Sequence, residues 1–506
     1  MPFVQNFPFF SIYFAILCGI FTLPLGRHAA KWLSIGCHAV LAVLSGFVLA
    51  HTLGLEESFV YMMGKFPAPF GNELRVGVLE AFMALLFSTV GLLSIAGGSR
   101  DIFKDVPQAK INLHYVMQNM LSAAMLAVIY TNDIFTAYVF IEIIVITACS
   151  IVSTKLTGRN LMATMSYLLM SLIGSGMMLL GIGMLYGVTG HLLFPGIQEN
   201  VALIVATENY KLPLFVLSAL FVAGLAIKSA LFPFHGWLPD AHASATTSAS
   251  AVLSGLIVKA YIILLVKLAY NIYGLETMAL LFIPHVLMFF ALAGIVYGSV
   301  KAIRQKNVKL MLSYASISSI GFIYAGISLN TDAGIAAACF HIVAHAVAKA
   351  MLFTAAGGLA AVSGGHKDYG SLLGAARRDP FSGAVFIIGA VAMIGIPPFS
   401  GFASKLYLAT AAMQTPYFIV VIPVAIVLST FLGIMYYFPV IYSILSKRGE
   451  GVPSGEGADA GGELKVLPQP FLYRASLAVF AALTLYIGLF SQQVLSVIER
   501  GLAVLG

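Results

Sequence analysis

Apolar runs of roughly 20 residues, each long enough to cross a bilayer as a helix, succeed one another along almost the whole chain. They fall at 8–25, 32–53, 76–97, 111–130, 134–153, 161–187, 213–231, 247–270, 277–299, 308–328, 333–360, 382–409, 417–444 and 471–492. The pattern predicts an all-α polytopic membrane protein of about 14 transmembrane helices. Polar residues or proline interrupt the first run every few positions, and no A-x-A cleavage pattern follows it. It therefore reads as a retained span and not as a signal peptide.

The connectors carry an alternating charge pattern. Arg27 and Lys31 follow span 1, Arg100, Lys104 and Lys110 follow span 3, and Lys155 and Arg159 follow span 5. Lys301, Arg304, Lys306 and Lys309 follow span 9, Lys367, Arg377 and Arg378 follow span 11, and Lys447 and Arg448 follow span 13. The intervening short loops are poor in Lys and Arg. The positive-inside rule then places the odd-numbered loops in the cytoplasm and both termini on the other side. The Gly-, Ser- and acid-rich stretch Gly449–Gly462 reads as a flexible cytoplasmic loop.

Two spans contain the same interruption. AIKSALFPFHGWLPDAH, from Ala226 to His242, and GIPPFSGFASK, from Gly395 to Lys405, both read Pro-Phe-x-Gly-aromatic. Lys228 precedes the first and Lys405 follows the second. Proline removes a backbone donor and clashes with the preceding turn, so both spans should break. In lipid, such a break is tolerated where it is buried in protein or lines a hydrated cavity. Paired broken helices point to a transporter built from repeats. Chance is the alternative, since five-residue echoes are common in apolar sequence.

Ionisable residues also lie deep within the runs. Glu142, Lys228, Lys259, His341, His345, Lys349 and Lys405 all fall inside predicted spans. Each charged group at a span centre costs about 2.5–3.5 kcal/mol on insertion scales, so several together mark a pathway more readily than an accident. His341, His345 and Lys349 are spaced i, i+4, i+8 and share one helix face. Two histidines so spaced can bind zinc, but no acidic or Cys third ligand stands beside them, and a relay fits better. Burial disfavours a charged lysine, and a nearby carboxylate favours it, so a Glu–Lys pair of variable separation has a switchable proton affinity. A static set of buried ion pairs is the alternative, though such pairs seldom repay their desolvation.

Composition narrows the class. Of 506 residues, 60% are hydrophobic and 9% charged, against about 25% charged in soluble domains. The net charge of +7 then reflects cytoplasmic loops and not nucleic-acid binding. The four cysteines stand singly in apolar runs, and there is no nucleotide fingerprint, so no cofactor and no metal site is expected.

The motifs NDIFTAYVFIE, AIKSALFPFHGWLPDAH, SGLIVKAY, KLMLSYASISSIGF, HIVAHAVAKAMLF and IPPFSGFASK occur in one order over roughly residues 70–410. In these motifs the chain resembles the antiporter-like subunits shared by respiratory complex I, Mrp-type cation/proton antiporters and membrane-bound hydrogenases. The resemblance implies two inverted five-helix repeats, spans 4–8 and 9–13, broken at spans 7 and 12. It divides the chain into 1–110 (spans 1–3), 111–275 (first repeat), 276–446 (second repeat) and 447–506 (loop and span 14). It implies a proton path from Glu142 and Lys228 through Lys259, His341, His345 and Lys349 to Lys405. It further implies paralogous membrane subunits as partners, protons as cargo and an energy-coupling prokaryotic membrane; since sodium prefers oxygen ligands and deep carboxylates are few, any Na⁺ should cross elsewhere in the assembly. No catalytic site of its own is expected; the chain would serve a redox-driven pump or a cation/proton antiporter.

The sequence departs from the family pattern in places. Ala245–Ala251 reads ATTSASA where the family has two prolines, so the approach to span 8 should be less rigid. Glu80 stands for the usual aspartate opening span 3, and Ser166 replaces a lysine before Tyr167. The chain ends soon after span 14, like the shorter paralogues that lack a lateral helix. Na⁺/H⁺ exchange, a structural subunit and a solute symporter are the competing functions; no distinctive solute site favours the last.

Overall fold

The computed structural model describes residues 3–55, 57–66, 71–207, 211–446 and 469–505. The Gly449–Gly462 stretch lies outside the described residues. The first six spans are α1 (Phe7–Thr22), α2 (Arg27–Thr52), α3 (Val78–Asp105), α4 (Ile111–Tyr130), α5 (Ile134–Ser153) and α6 (Gly158–Thr189). A shorter helix, α7 (Phe194–Thr207), follows them outside the predicted runs. Span 7 is α8 (Lys211–Lys228), continued after a break by α9 (Trp237–Ser244). Span 8 joins α10 (Thr247–Val252), α11 (Val258–Leu268) and α12 (Gly274–Leu280) through two π turns, Leu253–Ile257 and Ala269–Tyr273. Spans 9 to 11 are α13 (Ile283–Ile303), α14 (Val308–Ser328) and α15 (Asp332–Ala361). One short turn, α16 (Ala375–Arg378), leads to span 12, which is split into α17 (Pro380–Ile394) and α18 (Ser400–Ala412). Spans 13 and 14 are α19 (Val421–Leu445) and α20 (Phe471–Leu489), and α21 (Ser491–Leu505) follows.

Thirteen helices among the described residues are long and apolar enough to cross a membrane, and the two halves of span 12 add a fourteenth crossing. The helix of span 8 runs further than its apolar pattern implied. It ends only at Leu280, and Phe282 turns the chain at φ 54°, so span 9 begins at Ile283 and not at 277. Between α2 and α3 an unforeseen hairpin pairs β1 (Phe59–Met62) with β2 (Glu73–Val76).

The helix starts follow local chemistry. Asp133 accepts from the Thr136 N–H at 2.6 Å, Thr331 from Gly334 at 3.1 Å, and Asp379 from Ser382 at 3.1 Å. Each side chain satisfies a backbone donor that has no partner in the first turn. Thr246 does the same for Ala249 at 3.2 Å, fixing the approach to span 8 without prolines.

Both breaks close alike. After α8, Ala230 takes φ 58°, and the Leu231 N–H returns to the Ala226 carbonyl at 2.9 Å. After α17, Gly395 takes φ 94°, and the Ile396 N–H returns to the Val391 carbonyl at 3.2 Å. Each is a left-handed residue followed by a bond spanning five residues, which ends a helix while satisfying its last carbonyls. Proline then bars continuation. The echo in sequence is thus an echo in backbone geometry.

Burial separates an axis from a rim. The most apolar stretches of span 8 and α15 are wholly buried, while those of α1, α19 and α20 are one-third buried (33%). The axial helices are those carrying Lys259 and the His341–His345–Lys349 face. Next to this axis, α6 and α8 pack backbone to backbone: a Cβ on Gly174 would lie 2.9 Å from the Gly224 carbonyl oxygen. Small residues permit this approach, which brings Lys228 to α6.

Candidate functional site

The carboxylate comes from α5 and the ammonium from the last residue of α8. Lys228 Nζ lies 3.2 Å from Glu142 Oε1, with the lysine side chain fully buried (0% exposed) and the glutamate a quarter exposed (25%). Ser175 of α6 stands between them. Its hydroxyl accepts from Lys228 Nζ at 2.7 Å and donates to Glu142 Oε1. An ammonium can only donate and a carboxylate only accept, so the chemistry fixes this orientation. Tyr261, two residues beyond Lys259 on α11, places its ring 5.9 Å from the Lys228 nitrogen. Tyr167 stacks on Trp237, with ring centroids 4.3 Å apart. Trp237 donates to the Ile227 carbonyl at 3.2 Å, so it holds α9 against the last turn of α8. At the break itself, Ser229 and Tyr324 of α14 share a 2.6 Å hydrogen bond.

Lys259 has no carboxylate partner among the described residues. Its ammonium donates to the Ser254 carbonyl, which lies in the first π turn. A π turn loosens the ordinary helical ladder, and such turns are frequent at functional sites. Lys349 donates to the Leu312 carbonyl at 3.0 Å and to the Tyr437 hydroxyl at 3.4 Å. The two lysines lie within electrostatic range of each other and of His345.

His345 and His341 stack with ring centroids 6.0 Å apart. Among the described residues, neither nitrogen of His345 has a hydrogen-bond partner, nor does Nε2 of His341. His341 Nδ1 meets the Ser404 hydroxyl at 2.5 Å. The next residue, Lys405, reaches back across the second break. Its ammonium donates to the carbonyl of Ile394, the last residue of α17, at 2.8 Å and to Thr430 Oγ1 at 2.9 Å. A cation at a helix C-terminus is favourably placed.

Six of the seven residues singled out by sequence are buried inside the bundle, and the seventh, Glu142, is partly exposed. A direct bond joins Glu142 to Lys228, Tyr261 of the Lys259 helix meets Lys228, and His341 bonds Ser404, the neighbour of Lys405, with the His341 and Lys405 side chains both facing the Phe322 ring. Sequence reading missed four residues. Ser175 gave no signal, because serines in spans usually bond to their own helix. Lys309 was read as a loop charge but is buried, donating to the Ala245 carbonyl at 3.0 Å and Ser250 Oγ at 3.2 Å. His242 is buried against Phe353 at 4.6 Å, with both ring nitrogens lacking a hydrogen-bond partner among the described residues. It lies within electrostatic range of Lys259, Lys309 and Lys349. Lys267 is buried beside Glu80, and its spacing of eight residues from Lys259 on one helix was the available clue.

Residues 131–433 match the family model described as NADH:quinone oxidoreductase/Mrp antiporter, transmembrane. The chain is similar to NADH-quinone oxidoreductase subunit N of Desulforudis audaxviator, 30% identical over 477 residues and 90% of each chain. It is similar also to the putative antiporter subunit mnhD2 of Staphylococcus haemolyticus, 28% identical over 98% of this chain and 95% of the other. Among solved structures, a chain of the membrane-bound sulfane sulfur reductase, an archaeal respiratory membrane complex, aligns with TM-score 0.84 and 25% identity over 99% of this chain and 96% of that one. A chain of the Mrp complex from Dietzia sp. aligns with TM-score 0.87 and 20% identity over 100% and 98%.

Proposed function

The chain belongs to the NADH:quinone oxidoreductase/Mrp antiporter family, and from that premise we propose that it is a proton-carrying subunit of a larger membrane complex. The path runs from Glu142 and Lys228, past Tyr261 to Lys259, through His345 and His341, to Lys405. Lys349 and His242 flank Lys259 and take part in the same relay. The observation that carries the reading is the Lys228–Ser175–Glu142 bridge, a buried ammonium and a partly exposed carboxylate joined by a hydroxyl that can pass a proton. Intramembrane ionisable groups lining one continuous axis are expensive to keep and are the usual mark of a proton relay. The two similar breaks support the division into repeats at 111–275 and 276–446. The Lys- and Arg-rich face is cytoplasmic by the positive-inside rule, with both termini opposite.

The test uses the whole complex in proteoliposomes, with proton translocation followed by a pH-sensitive dye. Glu142→Gln and Lys228→Ala should each abolish it. Full activity in both variants overturns the reading. Likeness to an antiporter subunit favours a second reading, work within an antiporter assembly, for which we propose Na⁺/H⁺ exchange. Sodium prefers oxygen ligands, and this relay offers one carboxylate, so sodium would cross elsewhere in the assembly. Transport by the complex would then require external sodium.

A further inference from the structure

A second buried carboxylate–lysine pair stands outside this path. Glu80 of α3 and Lys267 of α11 approach to 3.8 Å, with side chains 3% and 1% exposed. Glu80 Oε2 accepts from the Gly77 N–H at 3.0 Å, but Oε1 has no hydrogen-bond partner among the described residues. Two of the three ammonium protons of Lys267 go to the carbonyls of Ile129 and Thr131, each at 2.7 Å. The third is left for Glu80 Oε1. Lys267 follows Lys259 by eight residues on the same buried helix, a rise of about 12 Å at 1.5 Å per residue. The other groups facing the pair are the Arg75 guanidinium, within electrostatic range, and the hydroxyl of Tyr130, beside Ser45.

The pair lies next to an opening on the face that carries both termini. One turn beyond Lys267, Tyr270 lines a cavity of about 380 Å³ with Asp332, Glu499, Leu502 and Ala503. The Tyr270 hydroxyl donates to Asp332 at 2.6 Å. The wall formed by α21 rests directly on the start of α3. A Cβ on Gly501 would lie 2.6 Å from the Leu79 nitrogen, and Arg75 donates to the Val504 carbonyl at 2.9 Å.

We propose that Glu80 and Lys267 form the station from which protons leave the central lysine for this mouth, an inference that rests on the relay proposed above. A proton on Lys267 leaves its N–H bond for Glu80 Oε1, giving a neutral amine and a carboxylic acid. The acid then releases that proton to water at the mouth and returns to carboxylate. Lys267 is recharged from the Lys259 side.

A capping role for Lys267, holding the end of α4 by its carbonyls, makes a different prediction. Arginine keeps the charge and the donors but does not give up its proton in proteins. The experiment measures proton translocation by the assembled complex in proteoliposomes, with subunit co-purification as the check on assembly. Lys267→Arg and Glu80→Gln should each lower it by about tenfold or more. A wild-type rate for an assembled Lys267→Arg complex overturns the proposal. Should that variant not assemble, Glu80→Gln decides, with loss supporting the outlet and a full rate overturning it. Lys228→Ala in the same preparation separates the two ideas. If it stops transport while Lys267→Arg does not, the outlet alone fails; if it also runs at full rate, the relay fails and the outlet with it.

Discussion

Lys228 and Lys405 occupy matching breaks and are held in opposite ways. Lys228 ends its half-helix and turns to a carboxylate on a neighbouring helix through Ser175. Lys405 lies beyond its break and turns back to the half-helix end, where it meets the Ile394 carbonyl, the Thr430 hydroxyl and the Phe322 ring. The first site can move a proton between its own two members with no change in total charge. The second changes charge whenever it gains or loses a proton, because no described acidic side chain pairs with it. The first site therefore suits storage, and the second suits transfer to or from something outside itself. That division is invisible in the sequence, where both positions read simply as lysine beside Pro-Phe-x-Gly.

Beyond Glu142→Gln and Lys228→Ala, which should stop transport outright, the contrast can be broken most severely at the transfer site. Lys405→Met should lower proton translocation by the assembled complex about tenfold, and Lys405→Glu, which restores a titratable group, should stay within about threefold of the unmodified chain. Equal losses for both would mean that the site needs a lysine for packing and not for its proton. A second change makes the two sites alike. Thr430→Glu gives Lys405 a carboxylate, which favours the charged amine and should slow translocation by about fivefold. A rate unchanged by Thr430→Glu would remove the distinction between storage and transfer. The smallest expected effect comes from the serine that bridges the storage site. Ser175→Ala leaves Glu142 and Lys228 within reach of each other but deletes the bridge, and should slow transport about threefold, a barrier change of about 0.65 kcal/mol, in the same assay. A loss as large as that of Lys228→Ala would make the serine an obligatory carrier.

The fold was largely legible because lipid enforces it. A span must be apolar and about 20 residues long, and proline inside one must break it, so the crossings and both interruptions stood in the sequence. Glu142, Lys228, Lys259 and the His341–Lys349 face were legible for the same reason, as expensive residues in apolar surroundings. What escaped was chemistry whose partner lies far along the chain. Lys309 looked like one more loop cation, because its acceptors at Ala245 and Ser250 are about sixty residues away. Lys267 stood close enough to the end of an expected span to pass for an interfacial lysine, until the second π turn carried the helix on to Leu280. The hairpin of Phe59–Met62 with Glu73–Val76 has strands of four residues each, too short for alternation to stand out between two long apolar runs.

The serine between Glu142 and Lys228 imposes a rule of order on whatever passes it. While the proton rests on Lys228, the hydroxyl points at the glutamate. If Lys228 hands its proton to the serine oxygen and the serine hands its own to Glu142, the hydroxyl is left pointing at the lysine. No second proton can follow the same way until that single O–H bond has swung back. The bridge then behaves as a turnstile that admits one proton and must be reset before the next.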